Sequence, residues 1–213
     1  MNPKQNPADA LLQIRSLMER STRFLSLSGL SGIVAGVVSL VGLAMVYLFL
    51  EMVPFERDSI YSIKALDAHK WGLDSKQFFI LDALLVVLTA IIGCTYFTYR
   101  KARRQGQNLF DALTKRLLIN FLVPLAVGGL FCLALLDQGH LNLLAPSTLI
   151  FYGLALLNTS KFTFDEIRYL AYLEIGLGLL GLFFLKYGLE LWGIGFGLLH
   201  IIYGVIFYNK YDK

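Results

Sequence analysis

The sequence predicts an all-α fold, a polytopic membrane bundle of about six transmembrane helices. Three observations predict it. Only 16% of the 213 residues are charged and 56% are hydrophobic, with a mean hydropathy of +0.62; a soluble domain carries about a quarter charged residues. The apolar residues are gathered into runs that approach the roughly 20 residues a bilayer crossing needs. The basic residues fall into alternate connections between those runs.

Taken in order, Asn6-Pro7-Ala8-Asp9 reads as a helix start: a capping amide, a proline suited to the first turn, and an acid at the positive end of the dipole. Leu11, Ile14, Met18 and Leu25 then recur at helical spacing among Arg15, Glu19, Arg20 and Arg23. This predicts an amphipathic helix over 1–26, lying along the inner membrane surface. The rest, 27–213, is expected to form the transmembrane domain. Its spans are placed near 27–50, 77–99, 117–136, 143–157, 169–185 and 191–208. The first run is too long for a signal-peptide core and lacks a small-residue cleavage pattern, so it is expected to be retained. Glu51 to Lys76 is the one long connection, and it ends in Asp74-Ser75-Lys76-Gln77, the pattern of a capping box. Three spans followed by three would permit an inverted repeat, although no sequence repeat is visible.

Orientation follows from the basic residues. Lys4, Arg15, Arg20 and Arg23 precede the first span, and Arg100, Lys101, Arg103, Arg104, Lys115 and Arg116 lie between the second and third. Lys161 and Arg168 join the fourth to the fifth, and Lys210 and Lys213 end the chain. These alternate segments hold fourteen basic residues against five on the other side, which places both termini in the cytoplasm. Tyr96, Tyr99, Trp192, Tyr203 and Tyr208 fall towards span ends, where amphipathic rings favour the interface.

Ionisable groups within a span are costly, about 2.5–3.5 kcal/mol for Asp, Lys or Arg at mid-membrane on insertion scales, so each invites a reason. Glu174 lies in the inner half of the fifth span, on a face with Ala171, Gly178, Gly181 and Gly188. His200 lies on a comparable face of the sixth with Gly193, Gly197 and Gly204. Small faces let helices approach closely. A turn near Gly188 would bring Glu174 and His200 to similar depth, with Asn120 of the third span close by. One reading is a ligand or proton site; the other is a hydrogen-bonded pair that ties the hairpin together. Asp82, near the outer end of the second span, is a further candidate within reach of Ser147 and Thr148, or else a hydrated surface carboxylate. Pro124 and Pro146 read as tolerated kinks, and Gly32/Gly36 and Gly193/Gly197 as internal packing pairs. The run Arg100, Lys101, Arg103 and Arg104 is suited to lipid headgroups or an acidic partner, or only fixes orientation.

The sequence holds no phosphate loop, dinucleotide fingerprint, HExxH or Cys/His cluster, so no catalytic residue, metal or cofactor is expected. Cys94 and Cys132 sit in apolar runs as inert thiols, and His69 and His140 fall in outer loops. The basic run is too short, and too bare of any binding fold, for nucleic acid. In general form the chain resembles small multi-pass bacterial inner-membrane proteins. The expected function is a non-enzymatic accessory or sensory subunit of the plasma (inner) membrane, binding lipid or a protein at the cytoplasmic face, with room for an oligomer. The alternative is a small-solute or proton-coupled transporter or channel built on Glu174 and His200.

Overall fold

The computed structural model describes residue 24 and residues 27–55, 61–106 and 111–213, without the side chains of 62, 66 and 67. The amphipathic helix expected over 1–26 therefore lies almost wholly outside the described residues. The chain is predominantly helical, and five helical segments are long and apolar enough to cross a membrane.

The first helix, α1 (Gly29–Leu50), buries a ladder of small residues that includes Gly29, Ser31, Gly36, Ser39 and Gly42. It ends where Glu51 turns left-handed, at φ 54°, and returns its amide to the Tyr47 carbonyl. The connection that follows is folded. A short helix, α2 (Tyr61–Asp67), leads into two antiparallel strands, β1 (His69–Lys70) and β2 (Leu73–Asp74). Trp71 and Gly72 both take positive φ in the two-residue turn, as a tight hairpin with right-handed strand twist demands. Two-residue strands leave no alternation to detect, so the sequence pattern gave only a loop. Phe49 stacks on Phe78 at 3.9 Å between centroids, and with Tyr61, Leu136 and Leu141 they form a core at this end.

The capping box is present. Asp74 accepts from the Gln77 amide at 2.8 Å, and Gln77 accepts from the Asp74 amide at 3.2 Å. It starts α3 (Ser75–Arg104), whose thirty residues span roughly 45 Å at 1.5 Å per residue. The helix thus carries the whole basic run as its last turns. Asp111 caps α4 (Ala112–Asp137), accepting from Thr114 at 2.7 Å, and Pro124 lies within an uninterrupted helix. A 3-10 turn leads into α5 (Leu144–Thr159), with Pro146 in its first turn. Then comes α6 (Glu166–Phe183), the expected fifth span; with Glu166, Arg168 and Glu174 in eighteen residues, it is not among the five most apolar segments.

The last helical segment is longer and less regular than the helix expected over 191–208. It runs through α7 (Gly188–Trp192), a π-helical stretch Gly193–Leu199, α8 (His200–Phe207) and a second π turn at Tyr208–Asp212. In the packing, α1 lies between α3 and this last segment, while α5 lies between α4 and α6. The helices α3 and α4 are marginal, with mostly exposed apolar faces.

The small-residue faces work differently from the expectation. Gly178 and Gly181 pack on Pro146 and Ile150 of α5, and Gly193 and Gly197 pack on Leu43 and Leu40 of α1. A methyl on Gly36 would stand 2.6 Å from the Gly197 carbonyl, so Gly32 and Gly36 serve packing within the chain.

Candidate functional site

Glu174 projects from the middle of α6 and is completely buried. His200 opens α8, where the π-helical stretch ends, and is 5% exposed. Their closest atoms, Glu174 Oε1 and His200 Nδ1, are 3.3 Å apart. What lets the two helices meet here is Gly195, whose hypothetical Cβ would stand 2.6 Å from Glu174 Oε2 and 2.5 Å from Leu149 Cδ2. Leu149 itself is fully buried against them.

The imidazole is gripped at both nitrogens. Nδ1 lies 3.0 Å from the Gly195 carbonyl, and because a carbonyl only accepts, Nδ1 carries a proton. With the ring neutral, Nε2 then accepts from the Tyr152 hydroxyl at 2.7 Å. Tyr152 comes from α5, and Phe196 stacks near-parallel to the His200 ring at 5.9 Å. The π turn contributes directly: its wider winding presents the Gly195 carbonyl to a side chain five residues later. Such turns recur at functional sites. Because Nδ1–H is directed to Gly195, the short distance to Glu174 is a contact without a hydrogen bond. Neither carboxylate oxygen of Glu174 has a hydrogen-bond partner among the described residues.

The other expected members lie elsewhere. Asn120 turns back on its own helix, donating to the Arg116 carbonyl at 2.8 Å, and its backbone carbonyl accepts from Asn158 at 2.9 Å. Asp82 faces Gly42 of α1, where a methyl would stand 3.5 Å from Oδ2. Thr148 donates to Ala145 and accepts from the Trp192 indole at 3.1 Å, so its hydroxyl serves α5 and α7 rather than Asp82.

The basic run divides in two. Tyr96, Tyr99, Arg100 and Arg103 recur at helical spacing on the exposed side of α3, and with Arg104 they line an open depression of about 510 Å³. Lys101 points the other way. It pairs with Asp212 at 2.7 Å, donates to the Leu27 carbonyl at 2.7 Å, and sits 5.8 Å above the Phe164 ring. The expected headgroup set therefore loses Lys101, whose side chain is only 10% exposed. Asp212 in turn accepts from Ser28 at 2.8 Å and from the Gly29 amide at 2.9 Å, supplying the cap that Ser28 does not give α1. Beside it, Glu166 accepts from Lys210 at 2.5 Å and from Tyr211 at 2.9 Å, and Thr163 donates to the Phe24 carbonyl. The carboxy-terminal turn is thus fastened to α1, α3 and α6 at the basic end.

At the end of α1, Lys70 holds the Glu51 carboxyl below the usual carboxylate range. The Thr114 amide does the same for Asp111. Among the described residues no cluster of three metal-ligating side chains occurs.

Together these features define a helical protein with membrane-compatible helices, a buried acid–imidazole–phenol cluster and a basic, aromatic surface. No family model, no curated protein and no solved structure matches the chain.

Proposed function

We propose that this chain is a multi-pass protein of the inner (plasma) membrane with both termini cytoplasmic. In this reading it acts without catalysis, as an accessory or sensory subunit that holds anionic lipid at its inner edge. Five apolar helices and the concentration of basic residues at one end support the membrane and orientation parts. The observation that carries the lipid part is the stripe Tyr96–Tyr99–Arg100–Arg103 with Arg104. Three exposed guanidinium groups surround a depression at a span end, flanked by rings that are 58% and 52% exposed. Guanidinium forks match phosphate geometry, and tyrosine settles at headgroup depth.

The test uses the full chain in nanodiscs of mixed phosphatidylglycerol and phosphatidylethanolamine, with retained lipids counted by native mass spectrometry. At about 1 kcal/mol per basic residue, each arginine contributes roughly fivefold preference for the anionic lipid. The triple change Arg100→Gln, Arg103→Gln, Arg104→Gln should abolish the preference, and Lys115→Gln with Arg116→Gln should leave most of it. Equal retention of both lipids, or an unchanged triple variant, contradicts the reading. A second reading, proton-coupled transport, is favoured by one feature, the contact between Glu174 and His200.

A further inference from the structure

We propose that Glu174 and His200 form a proton-binding site, with the Tyr152 hydroxyl as the group through which its proton enters and leaves. The inference rests on the buried cluster and stands independently of the lipid reading.

Glu174 is completely buried, and neither of its oxygens accepts a hydrogen bond from the described residues. An ionised carboxylate so placed has lost its water and gained nothing in return, a condition that neutralisation relieves. The groups available to relieve it are few. α5 carries no charged side chain and presents Tyr152. On the last helical segment, Glu190 is engaged with the Phe55 amide at one end, and Lys210 and Asp212 are engaged with Glu166 and Lys101 at the other. Within α6, Glu166 and Arg168 lie at its first turn. The Cys94 thiol of α3 is engaged with the Ser31 carbonyl at 3.5 Å. That leaves His200 as the one basic group in contact with Glu174 among the described residues. No solute fits between them, because the carboxylate and the imidazole already stand 3.3 Å apart. A proton is the ligand that does fit.

The route is written in the contacts. A proton from water reaches the Tyr152 oxygen as the hydroxyl passes its own proton to His200 Nε2, so the phenol stays neutral and the ring becomes an imidazolium. The imidazolium then gives its Nδ1 proton to Glu174 Oε1, 3.3 Å away, once that N–H swings off the Gly195 carbonyl. One proton has entered and one carboxylate has become a carboxylic acid. The ring is neutral again in its other tautomer, protonated at Nε2, and it returns to the Nδ1 tautomer only when the proton leaves. Release runs the same steps backwards. The Tyr152 hydroxyl meets His200 at Nε2, the nitrogen turned away from Glu174, so the phenol is the member of the chain farthest from the carboxylate.

The experiment is infrared spectroscopy of the full chain in nanodiscs, in an Asp82→Asn background that removes the carboxyl in the outer part of α3. A protonated-carboxyl C=O band is expected, shifting when H2O is replaced by D2O and disappearing in Glu174→Gln. In Glu174→Asp the band should move, which keeps the assignment testable if the glutamine variant does not fold. Tyr152→Phe should keep the band but slow its hydrogen–deuterium exchange by about tenfold or more. The proposal is overturned if the native protein shows no such band, or if the band survives Glu174→Gln. A band that never exchanges marks a purely structural pair and equally overturns it. Unchanged exchange in Tyr152→Phe removes the phenol from the route.

Discussion

Asp212→Ala tests the fastening of the carboxy-terminal turn. The Asp212 carboxylate is 8% exposed and holds three groups: Lys101 at 2.7 Å, the Ser28 hydroxyl at 2.8 Å and the Gly29 amide at 2.9 Å. Truncation strands the Lys101 ammonium in a site where its remaining contacts are the Leu27 carbonyl and the Phe164 ring. Breaking a buried ion pair from one side costs about 3–5 kcal/mol, much of it the penalty of the charge left behind. Loss of the cap at the α1 amino terminus belongs to the same change, since removing a capping oxygen typically costs about 1 kcal/mol. Removing both charges, as Lys101→Met with Asp212→Leu, takes away the stranded charge and should recover most of the loss. The assay is reversible unfolding of detergent-solubilised protein by titration with a denaturing detergent, for wild type, both single variants and the double. A single-variant cost under about 1 kcal/mol would place the pair among ordinary surface ion pairs and refute the reasoning. A double variant as unstable as the sum of the singles would show that the two side chains do not act as a pair.

Gly195→Ala should destabilise by about 1–3 kcal/mol, because its methyl would meet Leu149 Cδ2 and Glu174 Oε2 at once. Gly176→Ala, on the same α6 as Glu174 but facing open space, should be neutral or stabilising by about 0.5–1 kcal/mol; the same unfolding titration reads both. Asp111 gives a pH signature. Its folded-state carboxyl is depressed by the Thr114 amide, so its contribution is complete above the unfolded carboxylate range. That contribution is lost as pH falls through the folded value. Melting between about pH 6 and pH 3 should therefore show a smaller acid loss in Asp111→Asn than in wild type, with the cap retained.

The elements legible in the sequence were those set by long-range periodicity or by a local signature. Apolar runs marked the long helices, and Asp74 with Gln77 marked the start of α3 because a capping box is complete within four residues. The hairpin at Trp71 and Gly72 was not legible, since two-residue strands carry no pattern and tryptophan rarely accepts positive φ. Comparable distance from a turn near Gly188 suggested that Glu174 and His200 share a depth, and they lie 3.3 Å apart. The small faces offered as the reason pack instead on α5 and α1, and the glycine at the contact is Gly195, outside the repeat that was singled out. Tyr152 was hidden because a tyrosine inside an apolar run looks like any other ring until a partner faces it. In the basic run, Lys101 follows Arg100 by one residue and so lies about 100° round the helix, which sends its ammonium inward to Asp212. Only its acidic neighbour, some hundred positions away in sequence, reveals that the run is not one surface.

Whether the chain crosses a bilayer with its arginine surface inside is decided most directly by thiol labelling of intact cells. In a Cys94→Ala, Cys132→Ala background, single changes Gln138→Cys and Gly139→Cys are compared with Gln105→Cys and Lys161→Cys, all at exposed positions. An impermeant maleimide should label the first pair from outside and reach the second pair only after the cells are opened. Labelling of Gln105→Cys or Lys161→Cys in intact cells would contradict the orientation, and with it the assignment of the Arg100–Arg103–Arg104 surface to the inner leaflet.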